Sequence, residues 1–188
     1  SPVCTPSRAG LLTGRYPIRS GMNQVLFPQS QTGIDASEIT IGEALQRLGY
    51  ATGCIGKWHL GHLPPFLPTR HGFDYYFGLP YSNDMYLTKR GDPPLPLMRG
   101  EEIIEQPPDQ DLLTQRYTEE AVQFIRRSKG RPFFLYVPHS MPHIPIHRSK
   151  AFEGKSEGGK YGDVIEELDW SAGAILDEIK KQDLDEHT

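Results

Sequence analysis

The chain has 188 residues, of which 37% are hydrophobic and 23% charged, a composition typical of a globular protein with enough apolar side chains for one core. Its formal net charge of −4 gives no support for binding to nucleic acid or to an anionic membrane surface. No apolar run approaches the roughly 20 residues of a membrane-spanning helix.

The first predicted element is a short helix close to the start of the chain. Thr5 is a favourable N-cap, Pro6 suits the first helical position, and Gly14 can end the helix in a left-handed conformation. Cys4 would then lie just before a helix N-terminus, which carries partial positive charge, and Arg8 adds a full charge one turn along. A thiol in this setting is typical of a nucleophile that handles anions. A capped surface helix with an incidental cysteine is the alternative.

A capping box at Thr40 and Glu43 predicts a second helix, which Gly49 ends. Its predicted inward face consists of Ile41, Ala44, Leu45 and Leu48.

A buried strand is predicted over residues 51–55, followed by the sequence Gly-Lys-Trp-His-Leu-Gly at residues 56–61. Lys57 and His59 therefore lie where a strand ends, which is where open α/β sheets hold their ligands. Because residues two apart on an extended segment point the same way, one cation and one imidazole are expected to face a common site. A solvated lysine and a packed histidine are the alternative for the two residues taken alone.

The second half of the chain continues the alternation of helices and strands. Residues 62–110, rich in proline and glycine, are predicted to be a long irregular excursion over the sheet edge. A helix is predicted over residues 111–128, with Tyr117, Ala121, Phe124 and Ile125 inward. Residues 133–137 are predicted to be a central parallel strand that is buried on both faces.

The last predicted helix spans residues 163–181 and has two distinct faces. Its apolar face is expected to contain Ile165, Leu168, Ala172, Ile175 and Ile179. Its acidic residues are expected to lie on a solvated face, and they are Asp163, Glu166, Glu167 and Asp169. Trp170 is expected to pack rather than to act in a site. Without repeats or linkers, the chain is predicted to be one unit of α/β class.

Two histidines follow the 133–137 strand in a stretch with prolines at three positions, Pro138, Pro142 and Pro145. The prolines exclude a helix, so His139 and His143 are expected on a stiff loop at the ligand-binding end of the sheet. Both histidines could instead bond to loop carbonyls, an alternative stronger for His139.

The two cysteines are expected to be free. Cys54 lies in the middle of an apolar strand, where a buried thiol is the commoner state, so a disulfide with Cys4 is not favoured.

Several stretches in the same order resemble the formylglycine-dependent (type I) sulfatases, particularly the arylsulfatase A and N-acetylgalactosamine sulfatase branch. The two signature stretches are residues 1–15, which contain Cys4-Thr-Pro-Ser-Arg8, and residues 56–61. Supporting matches are His71-Gly-Phe-Asp74, Pro80-Tyr-Ser-Asn-Asp84 and Arg131-Pro-Phe-Phe-Leu-Tyr136. The resemblance covers nearly the whole chain. It implies an alkaline-phosphatase-like α/β sandwich with a central, mainly parallel sheet, and a chain that is one part of a single catalytic domain with further strands on both sides.

The resemblance also implies the chemistry. Cys4 would be converted to formylglycine, whose hydrate attacks sulfur in a sulfate monoester and is also a metal ligand. Arg8 and Lys57 would hold charge near the hydrate and the sulfate, and His59 would serve the release of sulfate. His143 would bind sulfate or assist the leaving group, and Ser82 matches a substrate-contacting serine.

Partners and compartment follow from the same resemblance. It implies a sulfated small molecule, sugar or lipid as substrate and a formylglycine-generating enzyme as maturation partner. The charge and the lack of a long apolar run predict no nucleic acid partner and no membrane span. Calcium or another divalent cation is implied as cofactor, but the family's paired acidic ligands and its Asp-Asn pair have no counterpart in residues 1–188, so the remaining ligands are expected outside this chain. The compartment cannot be read from the sequence itself, and the resemblance suggests an extracytoplasmic one, whether periplasmic, secreted or lysosomal.

Two alternatives remain open at this point. One is a phosphonate or phosphate ester hydrolase of the alkaline phosphatase superfamily, because that chemistry uses a similar nucleophile. The other is a truncated, non-catalytic remnant that binds anions. The fragment alone is expected to be inactive.

Overall fold

The computed structural model describes residues 1–86 and 91–188, and the remaining residues of the predicted 62–110 excursion lie outside this range. In the described residues, four α-helices accompany a five-stranded sheet. The helices are α1 Cys4–Thr13, α2 Ile41–Arg47, α3 Leu113–Arg127 and α4 Gly159–Lys181. The strands are β1 Ala51–Ile55, β2 Tyr75–Gly78, β3 Leu97–Arg99, β4 Glu102–Glu105 and β5 Phe133–Tyr136.

The sheet has the order β4-β3-β2-β1-β5, with β1 parallel to both β2 and β5. The β3 strand is antiparallel to β2, and β4 is antiparallel to β3. The prediction of an irregular excursion over residues 62–110 is therefore wrong, because this stretch supplies three strands. They are three or four residues long, and β3 and β4 are separated by Gly100 and Glu101 alone, so they lack the periodic pattern that reveals a longer strand.

The predicted strands at 51–55 and 133–137 both exist, but β5 is not buried on both faces as expected. All four residues of β5 are half-buried. Their side chains alternate between the two cores, with Phe133 and Leu135 against one and Phe134 and Tyr136 against the other. In the described part of the chain β5 pairs only with β1, so one side of each residue stays open.

The two faces of the sheet carry separate hydrophobic cores, because successive residues of a strand point to opposite sides. Ile55 and Phe77 pack with Tyr117 and Phe124 of α3 on one side. Ala9 and Leu12 of α1 pack with Cys54, Trp58 and Tyr76 on the other.

The first helix begins earlier than the sequence predicts. Its N-cap is Val3, in extended conformation, and Cys4 is the first helical residue, so the prediction of Thr5 as the cap is wrong. Gly14 ends the helix at φ 66° and donates its N–H to the carbonyl of Gly10, which confirms the predicted left-handed stop.

The capping box of α2 is confirmed, but its predicted inward face is wrong. The Thr40 side chain accepts from the backbone of Glu43, whose carboxylate in turn accepts from the Thr40 N–H. The helix packs through Gly42, which is buried against the backbone of residues 71–72. That close approach turns the predicted apolar side outward, and Ile41 and Leu48 are exposed.

The inward side of α3 is confirmed, whereas α4 is rotated from the predicted orientation. The buried residues of α4 are Asp163, Val164, Glu167, Ser171, Glu178 and Ile179. The prediction that Asp163 and Glu167 face solvent is therefore wrong. Both carboxylates accept hydrogen bonds from backbone N–H groups of the preceding loop, and these bonds offset the cost of burial. Trp170 packs against Phe152, as expected.

In residues 1–86 and 91–188 no helix is long and apolar enough to cross a bilayer. The two cysteines are free, as predicted.

Candidate active site

The two segments that follow β1 and β5 lie next to each other. We call residues 56–61 the central segment and residues 138–145 the histidine loop. The N–H of Lys57 donates to the carbonyl oxygen of Pro138 at 2.8 Å, which joins the two directly. The hydroxyl of Thr5 donates to the carbonyl oxygen of His59 at 2.9 Å, so it ties α1 to the central segment instead of capping the helix.

Cys4 lies in the first turn of α1 and is half-buried. It lines a cavity of about 400 Å³ together with Ser82, Asp84 and His143, so residues far apart in sequence meet at one opening. The remaining lining residues are Pro2, Val3, Val25, Phe27 and Met85. Unpaired N–H groups of a first helical turn favour a negative charge in this place.

Lys57 is the buried cation of the site, with 2% of its surface exposed. Its ammonium donates a hydrogen bond to the hydroxyl of Ser82 at 2.9 Å. Burial lowers the pKa of Lys57 to about 8, and the positive charge of Arg8 acts in the same direction. Negative charge at Cys4 and Asp84 acts in the opposite direction and raises the pKa of Lys57. The cation lies behind the Ser82 hydroxyl that lines the cavity, an arrangement that an incoming anion would stabilise.

His59 is fully buried and is held by its backbone. It has φ 61°, so the central segment is not extended there, and the extended backbone from which a common direction of Lys57 and His59 was predicted is absent at His59. That the two side chains face one site stays a prediction. The His59 Nε2 lies 2.8 Å from the carbonyl oxygen of Leu26 and must donate to it, which leaves the lone pair of the neutral ring on Nδ1. That Nδ1 is buried and has no hydrogen-bond partner within the described part of the chain. Burial, followed by the charge of Lys57, lowers the pKa of His59 to about 3.

The side chain of Arg8 contacts both the central segment and β5. Its Nη1 donates to the carbonyl oxygen of Lys57 and lies 3.5 Å from the hydroxyl of Tyr136 on β5. The guanidinium therefore fixes the backbone that carries Lys57 and also contributes positive charge close to it.

His143 is the solvent-facing group of the site, with a side chain that is 40% exposed. Its Nδ1 lies 2.6 Å from the carbonyl oxygen of Ile144 and 3.9 Å from Oδ1 of Asp84. Because a carbonyl can only accept, Nδ1 carries a proton and Nε2 is available to a ligand.

His139 lies apart from the cavity. It is largely buried beside the ring of Tyr117, and its Nε2 is 3.3 Å from the hydroxyl of Ser171 on α4. Burial lowers the pKa of His139 to about 4. The contact given for His139 is thus to a hydroxyl of α4, whereas the contact to a loop carbonyl that was the alternative for both histidines is made by His143.

Asn83 and Asp84 belong to the site, but the sequence did not single them out within the Pro80–Asp84 stretch. Asp84 lines the cavity, and Asn83 is completely buried next to it. Both belong to the Pro80–Asp84 stretch, but without the fold nothing separates them from ordinary turn residues.

The described residues do not form a cage for a divalent cation. No group of three or more His, Cys, Asp and Glu side chains in residues 1–86 and 91–188 is placed to hold a metal ion. Asp84 is the one carboxylate among the residues that line the described cavity, whereas calcium takes six to eight oxygen ligands. The acidic residues of α4 are engaged elsewhere or exposed.

Comparison with known proteins places this geometry in a family. A family model for sulfatases matches residues 1–188. Arylsulfatase G of Canis lupus familiaris is 39% identical, over 95% of this chain and 39% of its own length. Human N-acetylgalactosamine-6-sulfatase is 40% identical, over 94% of this chain and 37% of its own length.

The chain thus spans about two fifths of the length of these relatives. In three dimensions it is similar to a chain solved in work on glycosaminoglycan metabolism by Bacteroides thetaiotaomicron, with a TM-score of 0.85 and 26% identity over 97% of this chain and 50% of that one. This likeness confirms the expected α/β, alkaline-phosphatase-like fold. Because one family model spans every residue and both sequence relatives are sulfatases, the chain belongs to the sulfatase family.

Proposed function

We propose that the complete protein hydrolyses sulfate monoesters and that Cys4, converted to formylglycine, is its nucleophile. The observation that carries the proposal is the cavity in which Cys4, at a helix N-terminus, meets Ser82 and His143, with the buried Lys57 hydrogen-bonded to Ser82 behind the cavity lining. Membership of the sulfatase family supports the reaction class.

The chemistry explains why a thiol by itself is not enough. Attack by sulfur on a sulfate ester would leave an S–S bond to sulfate with no internal way to break it. A formylglycine hydrate supplies two hydroxyls: one displaces the alcohol from sulfur, and loss of the proton from the other expels sulfate and restores the aldehyde. The protein must then bind the sulfuryl oxygens, protonate the leaving oxygen and accept a proton near residue 4.

Lys57 and Ser82 are placed to bind the sulfuryl oxygens. Below pH 8 the ammonium is charged, and its hydrogen bond joins it to Ser82, which lines the cavity. A bound anion would favour the charged form and so raise the pKa of the lysine again.

The two histidines have opposite proton positions, which suggests different roles. His143 lines the cavity and holds a proton on Nδ1, which leaves Nε2 as the nitrogen from which its imidazolium form can donate to the leaving oxygen. His59 keeps a neutral ring with its lone pair on Nδ1, the arrangement of a base. We assign the first step to His143 and the release of sulfate to His59.

Calcium or another divalent cation stays an expectation from the resemblance. The described residues do not fit a cation cage, and we derive no step through a metal.

A sulfated sugar and an aryl sulfate are the substrates we favour, since the relatives' names refer to both, and a sulfated lipid remains possible within the same chemistry. A formylglycine-generating enzyme is the proposed maturation partner.

The test uses the complete protein and two substitutions of one residue. The mass of the tryptic peptide that carries Cys4 should show CHO in place of CH₂SH. Cys4→Ala and Cys4→Ser should both lower turnover by roughly 10³-fold or more, as loss of a covalent nucleophile does. The serine variant should also accumulate sulfated enzyme, because it lacks the second hydroxyl.

Three results would contradict the proposal. Near-normal multiple turnover by Cys4→Ser would exclude the hydrate mechanism. Faster hydrolysis of an aryl phosphonate than of the matching aryl sulfate would favour the phosphonate hydrolase alternative. An unmodified Cys4 peptide in a protein that binds sulfate without turnover would favour the anion-binding remnant.

A further inference from the structure

The turn that carries Ser82 and the loop that carries His143 are joined by the side chain of Asn83. Its Nδ2 donates to the carbonyl oxygen of Pro145 at 3.1 Å and to Oε1 of Gln110 at 3.2 Å. The Gln110 Nε2 returns a hydrogen bond to the carbonyl oxygen of Asn83 at 3.1 Å. Asn83 therefore contacts the residue two positions after His143, while its own neighbours in sequence are Ser82 and Asp84.

The orientation of this amide is fixed by its partners. A proline carbonyl can only accept, and Gln110 must present its oxygen because its nitrogen donates to the Asn83 carbonyl. A flipped Asn83 would place its oxygen against two acceptors, so only one orientation satisfies both bonds.

Stability alone does not account for an asparagine here. The residue is completely buried, and its Oδ1 has no hydrogen-bond partner among residues 1–86 and 91–188. An unpartnered buried acceptor costs free energy that an apolar side chain of the same shape would avoid. What the amide supplies instead is a defined distance between two segments that the sheet does not hold together.

The remaining anchors of the histidine loop act at its start. His139 contacts Ser171, and Ser140 bonds to the hydroxyl of Tyr117 at 3.1 Å. Residues 142–145 are exposed. Among the described residues, the exposed end of the loop is restrained by the bond from Asn83 to Pro145 and, just after the loop, by the 2.8 Å contact of His147 Nδ1 with Oδ1 of Asp111. The bond from Asn83 is the nearer of the two to His143 in sequence.

We propose that Asn83 is a positioning residue. It holds the loop that carries His143 at a fixed distance from the Lys57–Ser82 pair, so that one substrate can contact all three side chains. This inference rests on the proposed function, because the role of His143 towards the leaving oxygen comes from there. An error of about 1 Å in placing a catalytic group can cost on the order of 10²-fold in rate.

The test is a double-mutant cycle in the complete protein with Asn83→Leu and His143→Ala. The leucine side chain has a similar shape and removes both donated hydrogen bonds without adding charge. We expect kcat/KM for phenyl sulfate, which has a poor leaving group, to fall by about tenfold or more with Asn83→Leu. In the His143→Ala background the same substitution should cost less than about twofold, because a group that is absent cannot be misplaced.

Two further measurements separate positioning from loss of structure. With 4-nitrophenyl sulfate, which has a good leaving group, the effect of Asn83→Leu should shrink to about threefold or less, since this substrate depends less on protonation. Thr52→Val is the matched control: it removes a buried 2.9 Å hydrogen bond from Asp74 N–H, away from the cavity, and should leave both substrates unaffected. If Asn83→Leu does not fold, Gln110→Leu breaks the same cluster at a half-buried residue and should show the same substrate dependence.

An equal loss for both substrates, or an equal loss with and without His143, would overturn the proposal. Wild-type protein that hydrolyses neither sulfate would instead overturn the proposed function, so the two failures are distinguishable.

Discussion

The central segment and the histidine loop both follow strands that belong to one sheet, yet they present their functional groups in opposite ways. Backbone bonds hold the central segment on both sides: Gly56 and Trp58 donate to the carbonyls of Phe77 and Leu79, and Lys57 donates to that of Pro138. All its residues from 56 to 61 are buried. Residues 142–145 of the histidine loop are exposed, and side chains rather than a ladder anchor the loop.

Burial decides where pKa values are perturbed in both segments, since it also lowers the pKa of His139 at the start of the histidine loop to about 4. Burial lowers the pKa values of Lys57 and His59, which have no water to stabilise their charged forms. The central segment thus holds its charged and titratable side chains in fixed positions away from water, whereas His143 is exposed to solvent and substrate. Three experiments address this contrast, beginning with the one of largest expected effect.

Gly56→Ala tests whether the central segment is as tightly fitted as its hydrogen bonds indicate. Gly56 has φ 135°, and an added Cβ would lie 2.2 Å from the carbonyl oxygen of Pro138, a backbone atom. We expect the free energy of unfolding to fall by roughly 4 kcal/mol or more, measured by denaturant titration.

Gly14→Ala is the control for that substitution. It has φ 66° with nothing within 4 Å of an added Cβ, so it should lose only about 1 kcal/mol for the left-handed backbone. Similar losses for the two variants would mean that the central segment can move to admit a methyl group.

Substitution of the two histidines should separate stability from catalysis. His59→Ala removes a fully buried ring and is expected to lower the free energy of unfolding by about 2–3 kcal/mol, whereas His143→Ala should change it by about 0.5 kcal/mol or less. In stopped-flow experiments the His59 variant should show a burst of released alcohol because release of sulfate is slow. The His143 variant should show no burst. The reverse pattern would exchange the two assigned roles but would leave the reaction class intact.

The pH dependence of anion binding should report Lys57 and has the smallest expected effect. Because burial lowers the pKa of this lysine to about 8, it is charged below that pH and neutral above it. Affinity for inorganic sulfate, measured by calorimetry, should therefore fall with rising pH above 8, approaching about tenfold per unit. Lys57→Met should bind weakly with no such dependence between pH 7 and 9. An unchanged slope in that variant would assign the effect to another group.

The sequence was sufficient for elements with local signals. The stop at Gly14, the Thr40–Glu43 capping box, the β1 strand and the inward face of α3 are all confirmed, since each depends on side-chain chemistry or periodicity within a few residues. The motifs around Cys4 and in the central segment also indicated the sulfatase family, which the comparisons confirm.

Only the tertiary structure decided how distant residues share their hydrogen bonds and their surfaces. The Thr5 hydroxyl is a good cap by type but donates to the carbonyl of His59, 54 positions away. The acidic residues Asp163 and Glu167 look solvated on a helical wheel, yet loop N–H groups that fold back onto α4 bury them. Asn83 is a turn residue by sequence and a connection between two loops in space. The physical reason is common to all three: a polar side chain has several acceptable partners, and packing selects among them after the backbone has brought those partners within reach.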